Sequence, residues 1–212
     1  MKTLINALRF TAGLSCLSLP LFSSANTHSA PTSSSLGFHF EAGLTYASGL
    51  ENVMNQLETN FAVDRDFVWP IGLKLTAYAR TADGFGFGGG IGPCSFIQVR
   101  DDHHYSYHHN NDQWSYIIPV FADVRYYFPL SGHLAPYAKI GVVQPISGGD
   151  QIGSGTPGPL VGIGAQVWQH RVVSIGIEVG YDASKVKVKS GAYHTEKKVR
   201  PTEFTFSVYA SY

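Results

Sequence analysis

The closing stretch EFTFSVYASY, residues 203–212, alternates without a break. Phe204, Phe206, Val208, Ala210 and Tyr212 fall on one side, and Glu203, Thr205, Ser207, Tyr209 and Ser211 on the other. A repeat of two is that of a β-strand with unlike faces. The same repeat recurs upstream. FHFEAGLTYAS sets Phe38, Phe40, Ala42, Leu44 and Tyr46 against His39, Glu41, Gly43 and Thr45. FVWPIGLKLTAYAR sets Ile71, Leu73, Leu75 and Ala77 against Lys74, Thr76, Tyr78 and Arg80, and GFGFGGGIGP sets Phe85, Phe87 and Ile91 against glycines. YIIPVFADVRYYF turns Phe121, Asp123 and Arg125 away from its aliphatic row, PYAKIGVV isolates Lys139, and SIGIEVGYDAS isolates Glu178. Together with VGIGAQVW these give eight strands, at about 36–48, 67–82, 84–100, 113–128, 134–147, 158–169, 172–189 and 198–212.

The connectors alternate in length. Ala82-Asp83-Gly84, Pro129–His133 and His170-Arg171 are short, whereas 49–66, 101–112, 148–157 and 190–197 are longer. Strict alternation of tight turns and long loops is the signature of a transmembrane meander. The faces fix its orientation. One row is bulky and aromatic with no charge across the middle of any strand. The other is glycine, small polar residues and a balanced set: Glu41, Asp123, Glu178 and Glu203 with Lys74, Arg80, Arg125 and Lys139. An eight-stranded barrel has a narrow interior that large Phe and Tyr on every strand would overfill. The expectation is therefore an all-β, eight-stranded antiparallel transmembrane meander β-barrel, apolar outside. Its inward charges must pair, because an isolated buried ion is costly.

The N-terminus reads as an export signal over residues 1–25: Lys2 and Arg9, an apolar run at 11–22, then small residues ending at Ala25. Residues 26–35 read as a flexible polar lead-in, and 36–212 as the barrel. Cleavage would remove Cys16 and leave Cys94 alone, so no disulfide is expected. Only 14% of residues are charged and the formal net charge is zero, which argues against a nucleic-acid partner.

PVFADVRYYFP, APYAKIGV and the closing FTFSVYASY, together with the signal, resemble the small outer-membrane β-barrel superfamily of the OmpA/OmpX transmembrane-domain and opacity-protein type. The resemblance covers the whole mature chain and lies in pattern rather than in a fixed motif; members usually end in Phe, where this chain has Tyr212. It implies an integral protein of the cell outer membrane, inserted by the barrel-assembly machinery through the C-terminal strand and surrounded by outer-membrane lipid and lipopolysaccharide. Known members are structural, adhesive or pass small solutes, and the fold does not choose among them.

Several stretches carry possible chemistry. DDHHYSYHHNND, residues 101–112, is nearly palindromic about Ser106, so a hairpin would set His104 beside His108 and His103 beside His109. Cross-strand imidazoles lie close enough to share Zn²⁺, Cu²⁺ or Ni²⁺, or to act as a tip that charges near about pH 6.5. A solvated outward loop accounts for the same composition, and a loose loop offers ligands without preorganisation. No cofactor is expected. GFGFGGGIG mimics a dinucleotide fingerprint but runs along a strand instead of opening a helix. Lys185, Lys187, Lys189, Lys197, Lys198 and Arg200 flank the last long loop, where they could meet lipopolysaccharide phosphates or simply be the charged ends of strands. Trp69, Trp114 and Tyr116 suit an interfacial aromatic belt, and ENVMNQLETN a short loop helix. The function expected is a side-chain-filled barrel acting structurally or in surface interaction through its outward loops, toward an external ligand or host surface. A narrow channel for small or apolar solutes is the alternative. A lipid-modifying enzyme is a distant third, because no His/Ser/acid set is recognisable.

Overall fold

Period-two alternation builds the wall. In the computed structural model, which describes residues 36–61, 70–99, 113–128, 134–149, 151–169, 173–189 and 196–212, the strands are β1 (Gly37–Ala47), β2 (Ile71–Arg80), β3 (Phe85–Ile91), β4 (Ser95–Val99), β5 (Gln113–Tyr127), β6 (Ala135–Gly149), β7 (Ile152–Thr156), β8 (Gly158–Gln169), β9 (Ser174–Asp182), β10 (Lys185–Lys189), β11 (Glu196–Val199) and β12 (Phe204–Ser211). One helix, α1 (Gly49–Phe61), follows β1. The signal stretch 1–25, the lead-in 26–35, Trp69 and the histidine loop lie outside the described residues.

Eight strands close on themselves in the order β1, β2, β3, β5, β6, β8, β9, β12, with β12 returning to β1. Every pairing is antiparallel. The closing seam is long: Glu41 through Ala47 run beside Ser211 back to Thr205, and Phe40 and Tyr212 exchange both backbone hydrogen bonds. Closure matters because a sheet edge in hydrocarbon has no partner for its N–H and C=O groups.

The outward face is greasy on every wall strand. Phe38, Leu73, Phe87, Val124, Ile140, Ile163, Ile177 and Phe206 all stand exposed, Phe38 at 67% and Ile163 at 66%. A continuous apolar girdle of this kind belongs in lipid. Aromatic residues mark its ends: Phe85, Tyr126 and Phe128 stack near the C-terminal end, and Trp114 and Tyr116 stand exposed toward the other. Among the described residues no helix is long and apolar enough to cross a membrane.

Glycines on one strand receive tyrosines from the next. Tyr137 of β6 lies over Gly164 of β8, and Tyr209 of β12 over Gly176 of β9; a Cβ at either glycine would meet the ring. One tight turn, residues 81–85, carries Gly84 at φ 87°, closed by Gly84 N–H donating to the Thr81 carbonyl.

Three of the eight expected strands are not continuous. Between the pairs Ile91↔Val120 and Ser95↔Ile117, residues 92–94 face only 118–119, a bulge of one residue at Pro93, which cannot donate to the ladder. β9 breaks at Ala183-Ser184, and the last strand breaks before Phe204 at Pro201. Residues 148–157, expected as a loop, instead extend β6 and form β7. β7, β10 and β11 then make a small separate sheet at the end opposite the C-terminus.

That sheet and α1 form a lid. Val53, Met54 and Leu57 of α1 pack with Ile97, Ile117, Ile152, Val186 and Val188 in one buried apolar cluster. Ser48 ties the helix start to β12 by accepting a hydrogen bond from Phe204 N–H.

Replacing Gly164 by Val should displace the Tyr137 ring from its seat. The expected loss is about 1–3 kcal/mol, as for other overpacked cores, measured by urea unfolding in detergent micelles.

Candidate functional site: the closed lumen

The interior is layered along the barrel axis, and the layering follows from the inward rows. Near the C-terminal end Tyr78, Tyr127, Tyr137 and Tyr209 cluster. Above them comes an ionic chain. Arg125, fully buried, donates from Nη1 to both oxygens of Glu41 at 2.8 and 2.9 Å and from Nε to Asp123 at 2.8 Å. Lys139 Nζ lies 3.8 Å from the other Asp123 oxygen and 2.8 Å from Glu178 Oε1. Lys74 Nζ reaches that same Glu178 oxygen at 2.6 Å, and Tyr137 Oη donates to Oε2 at 2.8 Å. Three acids and three bases from β1, β2, β5, β6 and β9 thus run in one unbroken series: Glu41, Arg125, Asp123, Lys139, Glu178, Lys74.

Aromatic rings bound this chain on both sides. The Arg125 guanidinium sits 4.7 Å from the Tyr78 ring, and the Lys74 and Lys139 ammonium groups lie 5.6 and 5.5 Å from Phe121. Phe121 clusters with Val143 and Leu160. Beyond lies a cavity of about 40 Å³, room for about two or three waters, bordered by Lys74, Glu178, Thr45 and Asp182. Thr45 and Ser207, directly paired on the adjacent strands β1 and β12, share a hydrogen bond along its wall at 2.7 Å. The apolar cluster under the lid closes the far end.

Two of the expected lumen charges sit elsewhere. Arg80 is at the C-terminal end of β2 and stacks its guanidinium on Tyr127 at 3.9 Å, away from the ionic chain. Glu203 lies at the lid end in the break before β12, half-buried and paired with Arg200 at 3.3 Å. Both fall on the inward register, but at heights away from the ionic chain, Arg80 toward the C-terminal end and Glu203 at the lid end. Asp182 was missed. It is buried, accepts from Ser184 N–H at 2.7 Å and Oγ at 3.0 Å, and receives the Thr202 hydroxyl, so it pins the β9–β10 break to the segment before β12. Its signal is the Asp-Ala-Ser sequence at a strand end, which favours a local side-chain turn.

The basic stretch resolves into two roles. Lys185, Lys187 and Lys189 alternate with buried Val186 and Val188 on β10, and Lys197 and Lys198 stand exposed on β11. Arg200 turns to Tyr181, donating to its hydroxyl at 2.8 Å. His103, His104, His108 and His109 lie outside the described residues, and among the described residues no three His, Cys, Asp or Glu come together as a metal site.

A closed eight-stranded barrel, greasy outside and ion-paired within, has the fold of the small outer-membrane β-barrels. The outer membrane protein OprG of Pseudomonas aeruginosa superposes with a TM-score of 0.50 at 12% identity, covering 82% of this chain and 94% of that one. Outer membrane protein W of E. coli gives 0.49 at 16% identity over 82% and 96%, and Neisserial surface protein A gives 0.41 at 15% over 84% and 96%. No protein-family model matches the chain, and no curated protein is similar to it in sequence.

Glu178→Ala leaves both lysines without their shared partner and should cost about 3–5 kcal/mol, whereas Glu203→Ala should cost about 1 kcal/mol or less. Urea unfolding of the three proteins in the same detergent checks the contrast.

Proposed function

We propose that this chain is an integral outer-membrane barrel with a closed lumen, serving structurally and through the surface it presents at its lid end. The observation that carries the reading is two seals in series. The ionic chain spans the lumen from β1 to β9, and the apolar cluster beneath α1 and the β7–β10–β11 sheet fills the mouth. Each seal alone obstructs a hydrated ion. The first offers no unpaired charge to replace a hydration shell, and the second excludes water. The cavity between them is too small to hold more than a few waters.

On this reading the lid end faces outward and β12, ending at Tyr212, is the segment offered to the assembly machinery. The lid and long loops are then what an external ligand or host surface would meet. The narrow-channel alternative gains no specific observation from the lumen.

In planar bilayers the full chain should give no steady unitary current, and vesicles carrying it should not swell in small sugars. A reproducible conductance that disappears when Thr45 or Ser207 is replaced by Trp would overturn the closed-lumen reading in favour of a channel.

A further inference from the structure

The chamber between the ionic chain and the lid has its acceptors engaged. Glu178 Oε1 takes Lys74 at 2.6 Å and Lys139 at 2.8 Å, and Oε2 takes Tyr137. Asp182, also on the chamber wall, is engaged likewise. Its Oδ1 accepts from Ser184 N–H, and its Oδ2 from the Ser184 and Thr202 hydroxyls. Donors, by contrast, are left over. An ammonium group carries three hydrogens. Among the described residues Lys74 donates to Glu178 and meets no other acceptor. Lys139 has Glu178 alone at bonding distance, since the Asp123 oxygen stands 3.8 Å away. Thr45 and Ser207 share one hydrogen bond between two hydroxyls, which leaves one hydroxyl hydrogen over. Both lysines are buried, so bulk water does not meet these hydrogens.

Charge is unevenly spread along the chain as well. At one end a single base, Arg125, is bonded to two acids, Glu41 and Asp123. At the chamber end a single acid, Glu178, is bonded to two bases. The six charges cancel in sum, yet the chamber end carries one positive charge in excess. Phe121 holds both ammonium groups over its ring, at 5.6 and 5.5 Å, and so keeps them at the chamber. A cation there would face two ammonium groups. A water accepting from them would bring two hydrogens needing acceptors of their own, in a wall whose carboxylates are engaged. A monatomic anion accepts several hydrogen bonds and brings no donor. The cavity of about 40 Å³ accommodates one such ion with a water or two.

We propose that this chamber is a resident halide site, with chloride held by the Lys74 and Lys139 ammonium groups and by the Thr45–Ser207 hydroxyl pair. The ion continues the alternation of sign one step beyond Lys74. It gives the lysine end of the chain the second anion that the arginine end already has.

Urea unfolding of the full chain in detergent micelles tests the site, with gluconate replaced stepwise by chloride at constant ionic strength. The unfolding constant should fall along a saturating curve to about a tenth, the effect of a site filled at about ten times its dissociation constant. Bromide should act as chloride does, and crystals grown in bromide should show an anomalous peak between Lys74 and Ser207. Lys74→Met removes one ammonium group and should abolish the chloride effect. Should that variant fail to fold, Thr45→Val/Ser207→Ala, which keeps the ionic chain, should reduce the effect about threefold or more. An unfolding constant indifferent to the exchange of gluconate for chloride, an undiminished chloride effect in either folded variant, or bromide at the surface only would each overturn the proposal. These readouts are stability and diffraction, so their failure leaves the bilayer test of the closed lumen standing.

Discussion

Everything in this molecule follows from the requirement that a sheet in hydrocarbon satisfy its own backbone. The ring of antiparallel ladders leaves no edge, and its cost is a narrow interior into which half of every strand must point. Six charges share that interior. They are tolerable only because Arg125, placed between Glu41 and Asp123, links carboxylates from β1 and β5 through a single planar fork. A lysine there would supply the charge but could not hold Asp123 from Nε and Nη2 while a third nitrogen in the same plane holds Glu41. Tyr137, which packs against the arginine, needs Gly164 opposite it, so that glycine makes room for a ring rather than for flexibility.

The two obstructions in the lumen rest on different physics. The ionic chain sits where the barrel wall is complete and every member can find an opposite charge from a neighbouring strand. The lid end cannot use that device, because its strands are broken at Pro93, Ser184 and Pro201 and its inward positions are Ile117, Ile97, Val186 and Val188. It closes by burying apolar surface against α1 instead. Asp182 stands at the boundary between the two regimes. Its three hydrogen bonds hold together the chain segments that must bend from wall to lid.

Sequence alone carried the barrel because the period of two survives in every wall strand and both faces are extreme. Isolated charges such as Lys139 and Glu178, each alone in an apolar run, were legible as lumenal for the same reason. Alternation gives the face but not the height along the axis, and height decides whether a charge meets a partner. Arg80 and Glu203 share the inward register with Glu41, yet sit at opposite ends of the barrel. The lid was illegible for a different cause. KVKVK announces its lysines, and only the packing of α1 shows that Val186 and Val188 matter as much. The β7 strand, rich in glycine, resembled a loop until its partner β10 was in place.

That same alternation in KVKVK gives β10 two unlike roles at once. The ladder sets Lys198 opposite Lys187 and Glu196 opposite Lys189, and Lys189 also donates to the Gly149 carbonyl. The inward valines fix the register, because a slip of one residue would bury the lysines and expose the plug. The cation spacing on the outer face is therefore set by the same contacts that seal the mouth. The barrel's closure and the charge of its outer rim are two consequences of one strand's packing.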